Sequence, residues 1–366
     1  MNNLPFPCEA SGIRRYTALG KATPGCLIMT LGQPHLPPPK PVLQALEEAL
    51  RQGMTGYSPN RGEPCLIDAV CDYENRQGIP CSPENILITQ GATGGLFSCF
   101  TALVSPGEQV IINTPYYPLY ATLAQLSGAA AIYADSAGCG YGLAALCRAI
   151  TPKTRMVVLN APCNPTGAMY DAPALQTLVD AIGDRNIYVL CDTAYRGLSD
   201  IPFAEQVLYP LGDRLLLCRS FSKTWAMTGF RCGWLVAQKQ IISRLTSYQA
   251  AQISCIPSFI QKACCTALTL QPVCSYHRQR QYGSYRLQQM GLPHPAPCGG
   301  FYLFPDITKY GVDDKAFCQA LIEKGGVAAV PGSVFGSAGH IRLSCCCHMD
   351  TLTLALDRLE QFLQRL

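Results

Sequence analysis

Lys223 has the most promising chemical setting in the chain. It lies in the run Cys218-Arg-Ser220-Phe-Ser222-Lys223-Thr-Trp-Ala-Met-Thr-Gly-Phe-Arg231-Cys-Gly-Trp234 and is one of nine lysines. Small hydroxyl residues precede it and an apolar stretch follows. Such surroundings favour the neutral amine over the ammonium, and a neutral lysine amine is a nucleophile able to form a Schiff base. A lone lysine is ordinarily a solvated surface charge. This one has Ser220 three residues before it and Arg231 eight after, so a hydroxyl and a guanidinium could share one phosphate.

Four further groups each follow a short apolar run. Thr89-Gln-Gly91-Ala92-Thr93-Gly-Gly95 precedes an expected helix from Leu96 to Leu103. Glycines that open a helix expose backbone N–H groups to an anion, which makes Gly91, Ala92 and Thr93 a candidate phosphate cradle. The alternative is an ordinary glycine-rich turn, because the Walker lysine and the G-x-G-x-x-G pattern are both missing. Thr114-Pro-Tyr-Tyr117-Pro-Leu-Tyr120 offers an aromatic that could stack on a flat ring or simply pack. In Asn160-Ala-Pro-Cys-Asn164-Pro-Thr-Gly167, two prolines and a glycine fix a turn that would hold the Asn164 amide in one orientation. Cys191-Asp192-Thr-Ala-Tyr195 puts an acid after a buried run, where it must meet a cation or donor, or else cap a helix.

These groups need a scaffold that brings strand ends together. The runs Ile86–Ile88, Val110–Ile112, Ala130–Tyr133, Met156–Leu159, Ile187–Leu190, Leu215–Leu217 and Gly233–Val236 are short and continuously apolar, as strands buried on both faces are. Helical periodicity lies between them, for instance over residues 174–182. This alternation predicts an α/β fold, a mostly parallel seven-stranded sheet between helices, with ligands beyond the carboxyl ends of the strands. A helix is expected through Val42, Leu43, Leu46 and Leu50. The first forty residues, rich in proline and glycine, read as extended chain. After residue 238 a long helical stretch leads to a helix over 278–290 and to strands near 300–304, 327–330 and 340–343, a smaller α+β unit. The expected organisation is an extended N-terminal arm over 1–40 packed on the small domain, a large domain over 41–240 and a small C-terminal domain over 241–366.

Composition narrows the class. With 366 residues, 48% hydrophobic and 14% charged, the chain can bury a large core and is not a disordered protein. A net charge of +4 with scattered basic residues argues against nucleic acid as a partner. Apolar runs are far shorter than the ~20 residues a bilayer requires, and the N-terminus does not read as a signal peptide, so no membrane association and a cytoplasmic location are expected. The 21 cysteines include no C-x-x-C pair, and their number is odd. Cys345-Cys346-Cys347-His348 follows a strand, whose alternating side chains do not converge on one metal. No metal site is expected, and most of the cysteines read as small apolar core residues in a reducing compartment.

Taken together, the chain resembles the class I/II, fold-type I, pyridoxal-phosphate-dependent aminotransferases over nearly its whole length. The resemblance rests on Ser220-Phe-Ser-Lys223 through Gly229-Phe-Arg231-Cys-Gly-Trp234, on Asn164-Pro-Thr-Gly167, on Asp192-Thr-Ala-Tyr195, and on Pro331-Gly-Ser-Val-Phe335 followed by His340-Ile-Arg342-Leu-Ser344. It implies pyridoxal 5′-phosphate as cofactor and a ping-pong transfer of an amino group from an L-amino acid to a 2-oxo acid. Lys223 would be the Schiff-base lysine. Asp192 would meet the ring nitrogen, and Asn164 and Tyr195 the ring hydroxyl, with Tyr117 stacking on the ring. Gly91, Ala92, Thr93, Ser220, Ser222 and Arg231 would hold the phosphate. Tyr57 resembles the tyrosine that reaches the neighbouring subunit's phosphate, which implies a homodimer. Gly32 and Arg342, with Asn164, would bind the substrate carboxylate. Tyr16, Tyr117, Phe301 and Tyr302 would leave room for a large apolar substrate.

Two positions depart from the family pattern. Cys163 stands where relatives often carry Asn, and Thr93 where some aspartate-specific members carry Lys, which argues against a dedicated aspartate enzyme. The same cofactor residues would also serve a C–S β-lyase or an amino-acid decarboxylase. A cofactor-binding effector domain of a transcription regulator is a further alternative, disfavoured by the short stretch ahead of residue 30.

Overall fold

The continuously apolar runs form strands because each can bury both of its faces. In the computed structural model, which describes residues 11–135, 142–273 and 275–366, the strands are β1 Leu27–Ile28, β2 Ile86–Thr89, β3 Gln109–Thr114, β4 Ala130–Asp135, β5 Thr154–Asn160, β6 Tyr188–Asp192, β7 Leu215–Ser220, β8 Gly233–Val236, β9 Tyr302–Leu303, β10 Val327–Ala328, β11 Val330–Pro331 and β12 Ile341–Ser344. All seven expected runs join one sheet in the order β2-β8-β7-β6-β5-β3-β4. Alternate residues feed opposite cores. Val110, Ile112, Met156, Val158, Leu190, Leu216 and Leu235 pack on one face. Ile111, Val157, Leu159, Val189, Leu217 and Trp234 pack on the other. At roughly 1.5–3 kcal/mol per fully buried large aliphatic side chain, these two layers are the main source of stability.

The sheet is parallel except at β8, which runs antiparallel to both β7 and β2. Six strands therefore end at the same edge where β8 begins. Register aligns Thr89, Gly233 and Ser220 across three strands, and Asn160 with Asp192 across two more. Gly233 has to be glycine there, since a Cβ would lie 2.5 Å from the Arg219 carbonyl oxygen and 2.8 Å from the Gly91 carbonyl carbon.

The C-terminal residues build a separate apolar cluster around Phe301, Phe317, Leu321, Leu343, Leu352 and Leu359. Its small sheets are β11-β12-β9, antiparallel, and β1 paired in parallel with β10, so the N-terminal segment packs against this unit. Among the described residues no helix is long and apolar enough to cross a membrane.

Four local expectations need correction. The first forty residues are not uniformly extended, because Gly12–Ala22 is a helix. It buries Tyr16, Thr17 and Gly20, and Gly20 leaves no room for a Cβ beside Ala328. The prolines that suggest extended chain fall after it. The helix Lys40–Arg51 buries Val42 and Ala49, whereas Leu43 and Leu50 are exposed in this chain. The stretch after residue 238 is two helices, Lys239–Ile253 and Ser258–Ala267, broken at Ser254 with φ 63° and followed by Pro257. The helix expected from Leu96 starts earlier, at Gly91.

Beneath the site edge lies a buried ion network. Arg219, on β7, donates from Nε to Glu74 Oε1 at 3.1 Å and from Nη2 to Glu205 Oε2 at 2.7 Å. Arg196 contacts the same two carboxylates at 3.2 and 2.8 Å. Trp234 donates Nε1–H to Glu74 at 2.8 Å, and Arg219 also donates to the Thr193 hydroxyl beside Asp192. Removing one member strands the others without water. Glu74→Ala should therefore destabilise the fold by about 3–5 kcal/mol. A urea-unfolding midpoint that stays at the wild-type value would contradict this.

Candidate active site

The edge where the strands end is polar although the sheet beneath it is apolar, and the expected residues converge there. Asp192 closes β6 and is buried. It does not cap a helix. Its Oδ2 accepts from the Tyr120 hydroxyl at 2.7 Å and its Oδ1 from the Ala194 N–H at 3.1 Å. Burial pushes its pKa up, while those two donors and the Lys223 charge pull it down. Asn160, at the end of β5, donates to the Asp192 carbonyl at 2.9 Å and accepts from the Asn164 N–H at 2.7 Å. The Asn164 turn is thereby locked to the strand that carries the acid.

Lys223 follows β7 in a turn, and its Nζ donates to the Gly32 carbonyl. Its amine lies 5.9 Å from the ring centres of both Tyr195 and Phe301. Loss of hydration brings the pKa down from 10.5 to about 8. Arg231 and Arg342 add to the lowering, and Cys346 and Asp192 oppose it. The sequence setting of Lys223 predicts this direction, and the cause is the enclosure.

The helix Gly91–Leu103 points its amino end at this edge. Gly91 has φ +64°, and a Cβ there would come within 2.9 Å of Arg231 Nη2. Arg231 stands two residues before the reversed strand β8, has φ 51°, and is exposed, with Nη1 donating to the Thr228 carbonyl at 3.0 Å. Ser220 Oγ accepts from the Ser222 N–H at 3.1 Å. Ala92 is half-buried and Thr93 exposed in the first helical turn. Helix amino end, Ser220 hydroxyl and Arg231 guanidinium thus stand at one edge, donors of the kind an anion takes.

Arg342, on β12, is 1% exposed, so its charge has to be answered internally. Nη1 donates to Asn164 Oδ1 at 2.9 Å and Nη2 to the Thr30 carbonyl. The guanidinium lies over the rings of Tyr302 and Phe335, at 4.3 and 4.7 Å, while its buried Nε has no partner among the described residues. Tyr195 is buried, and its hydroxyl is 3.0 Å from that of Tyr302. Tyr117 is partly buried and meets Tyr120 edge-on at 5.7 Å. Its hydroxyl pKa is raised by burial and by Asp192.

Tyr57 stands apart. It is 93% exposed and does not reach this site within its own chain. Cys163 is buried with its thiol toward the Pro115 carbonyl at 3.7 Å, and Cys346 sits beside Gly32 with Sγ 3.4 and 3.1 Å from the carbonyls of Leu31 and Gln33. Sequence reasoning assigned no role to Tyr120 or Asn160. Tyr120 is three residues beyond Tyr117 in the first turn of the helix Leu119–Leu126, a spacing that returns it to the same edge. Asn160 is the one amide ending an apolar strand.

The donor set fits a flat, phosphate-bearing aldehyde. A lysine amine of low pKa, a buried acid, a cradle that a Cβ would fill and an arginine with an orphaned Nε are all directed at one place. Comparisons with known proteins agree. A family model described as aminotransferase class I and II matches residues 25–359. A probable N-acetyl-LL-diaminopimelate aminotransferase from Bacillus subtilis is 36% identical over 97% of this chain and 93% of its own. An aspartate aminotransferase from Pyrococcus horikoshii is 34% identical, covering 97% and 95%. Among solved structures, aspartate aminotransferase from Thermotoga maritima superposes with a TM-score of 0.93 at 30% identity over the full length of both chains. The aromatic aminotransferase of Pyrococcus horikoshii gives 0.88 at 30% identity, covering 96% of this chain and 99% of its own.

Because the amine titrates near 8, its capture by a small aldehyde, trapped with borohydride, should be half-maximal about 2 pH units below that of an ordinary lysine. Peptide mapping across pH would show this. Labelling of Lys223 that rises only above pH 10 would refute the enclosed-amine picture.

Proposed function

We propose, from the premise that this chain belongs to the class I and II aminotransferase family, that Lys223 is the residue that holds its cofactor and moves its proton. The chain is a fold-type I, pyridoxal-phosphate-dependent aminotransferase, and its substrates are an amino acid and a 2-oxo acid. When bound, pyridoxal phosphate supplies a protonated ring that accepts the electrons left behind as Cα loses its proton.

The chain's own residues do the rest. Asp192, held by Tyr120 and Ala194, presents its remaining lone pairs to the ring nitrogen and keeps that nitrogen protonated. Tyr195 and Asn164 address the ring hydroxyl, and Tyr117 covers the ring face. Gly91, Ala92, Thr93, Ser220, Ser222 and Arg231 receive the phosphate. Arg342, its guanidinium fixed by Asn164 and flanked by Gly32, would take the substrate carboxylate and so orient the substrate. Lys223, with its amine largely unhydrated, would tether the cofactor and serve as the base that takes the Cα proton. The observation that carries the assignment is the Lys223 amine held at the Gly32 carbonyl, 5.9 Å from the rings of Tyr195 and Phe301, at the strand edge that Asp192 closes.

The finer points belong to the same proposal. The chain divides near residues 40 and 240 into an arm, a large domain and a small domain. It works as a homodimer in which exposed Tyr57 reaches the partner's phosphate site. Tyr16, Tyr117, Phe301 and Tyr302 line the substrate side, and Thr93 stands where a carboxylate-binding lysine would be needed. An aromatic or long apolar donor is therefore ranked ahead of aspartate.

A panel of amino donors with 2-oxoglutarate or pyruvate as acceptor tests the assignment, and it should include the N-acetyl-LL-diaminopimelate of the Bacillus relative's name. Lys223→Ala should lower turnover by roughly 10²–10⁴-fold or more. Arg342→Ala should raise KM roughly 10–100-fold, the worth of a charge-assisted hydrogen bond. Full activity in Lys223→Ala would end the proposal.

A further inference from the structure

We infer that Tyr302 is a positioning residue for this reaction, joining the hydroxyl of Tyr195 to the guanidinium of Arg342 through one buried side chain. This rests on the roles proposed above for Tyr195 and Arg342. Tyr302 is 2% exposed, on β9, and makes three contacts that converge on the site. Its hydroxyl is 3.0 Å from the Tyr195 hydroxyl. Its ring lies 4.3 Å from the Arg342 guanidinium carbon. The same hydroxyl fills the space above Gly32, where a Cβ would sit 1.8 Å from it. Gly32 is the residue whose carbonyl accepts from Lys223.

The direction of the hydroxyl chain follows from counting protons. A phenol has one proton to donate and can also accept. If Tyr195 gives its proton to the ring oxygen, the 3.0 Å contact requires Tyr302 to be the donor and Tyr195 the acceptor. Among the described residues Tyr195 is the hydrogen-bond partner of the Tyr302 hydroxyl. A phenol that accepts one hydrogen bond donates a stronger one, so Tyr302 strengthens the hold of Tyr195 on negative charge at the ring oxygen. That oxygen then competes less for the proton on the nitrogen linking cofactor to Lys223. The ring of Tyr302 has a second, separable job: with Phe335 it packs on Arg342 and so orients the carboxylate grip.

Two variants separate the two jobs. Tyr302→Phe keeps the ring and removes the hydroxyl, and Tyr302→Leu removes both. The readout for the first is the pH midpoint of the visible absorption of the bound cofactor, measured without substrate. Tyr302→Phe should raise that midpoint by about half a pH unit or more, a typical hydrogen-bond contribution. The shift should vanish in a Tyr195→Phe background, since Tyr302 acts through Tyr195. Tyr302→Leu should in addition raise the KM for every amino acid, whereas Tyr302→Phe should leave KM near wild type. A Tyr302→Phe midpoint equal to wild type, or a shift that survives in the Tyr195→Phe background, would overturn the inference while leaving the cofactor assignment standing. A wild-type protein that develops no pH-dependent visible band would instead remove that assignment, and this inference with it.

Discussion

A carboxylate buried at the end of an apolar strand must be compensated, and the rest of the site is arranged around that requirement. Asp192 sits on a sheet whose two faces are almost wholly aliphatic. The protein gives it two hydrogen bonds, from Tyr120 and Ala194, and the field of Lys223. Among the described residues no cation lies within ion-pair distance of it. Such a group is costly for folding and is tolerated where its chemistry is needed. In the proposed role, a protonated ring nitrogen would be the cation Asp192 lacks, and the cost of burying the acid in the free protein would be recovered on cofactor binding.

Strand direction decides what can stand around that acid. Were β8 parallel, its amino end would lie at the far edge and Arg231 with it. Reversal brings Arg231 beside the amino end of the helix Gly91–Leu103, and two glycines, Gly91 and Gly233, allow backbone, guanidinium and helix to approach without a side chain between them. The second apolar unit closes the site from the other side. Arg342 bonds Asn164, the Tyr116 N–H bonds the Phe335 carbonyl at 3.0 Å, and Gly32 receives Lys223. The polar contacts between the two apolar units named here thus lie at the chemical centre.

Much of this was legible in the sequence because each clue is local. Short apolar runs identify the strands of a doubly covered sheet, and the residue after each run is placed at the ligand edge by topology alone. Lys223, Asp192 and Asn164 stand at that edge as those rules require, whereas Arg342, within β12 of the small sheet, is named only by the family resemblance and meets Asn164 there. The less legible features depend on long-range partners. That Tyr120 would hold Asp192, that Trp234 and Arg219 would share Glu74, and that Tyr302 would meet Tyr195 across 107 residues are facts of register between distant segments. Gly12–Ala22 was missed for a different reason: prolines after it dominated the composition, while its buried positions were too few to show a clear period. Leu43 and Leu50 mark the opposite limit, since apolar side chains at helical spacing can face outward when the chain is considered singly.

Charge balance separates what the site must bind from what it can choose. Three cations, Lys223, Arg231 and Arg342, and one carboxylate, Asp192, give 3 − 1 = +2 with Lys223 protonated and +1 with it neutral. An excess of positive charge on one edge, part of it buried, draws anions. A phosphate and a carboxylate are the anions these groups are shaped to take, one at the exposed guanidinium beside a helix end and one at the buried guanidinium over two rings. The carboxylate is common to an amino acid and its 2-oxo acid, so Arg342 serves both directions of transfer and cannot discriminate among side chains. Under the proposed roles, side chains would be told apart by apolar contact, where a missing methylene changes affinity by only ~1–3 kcal/mol.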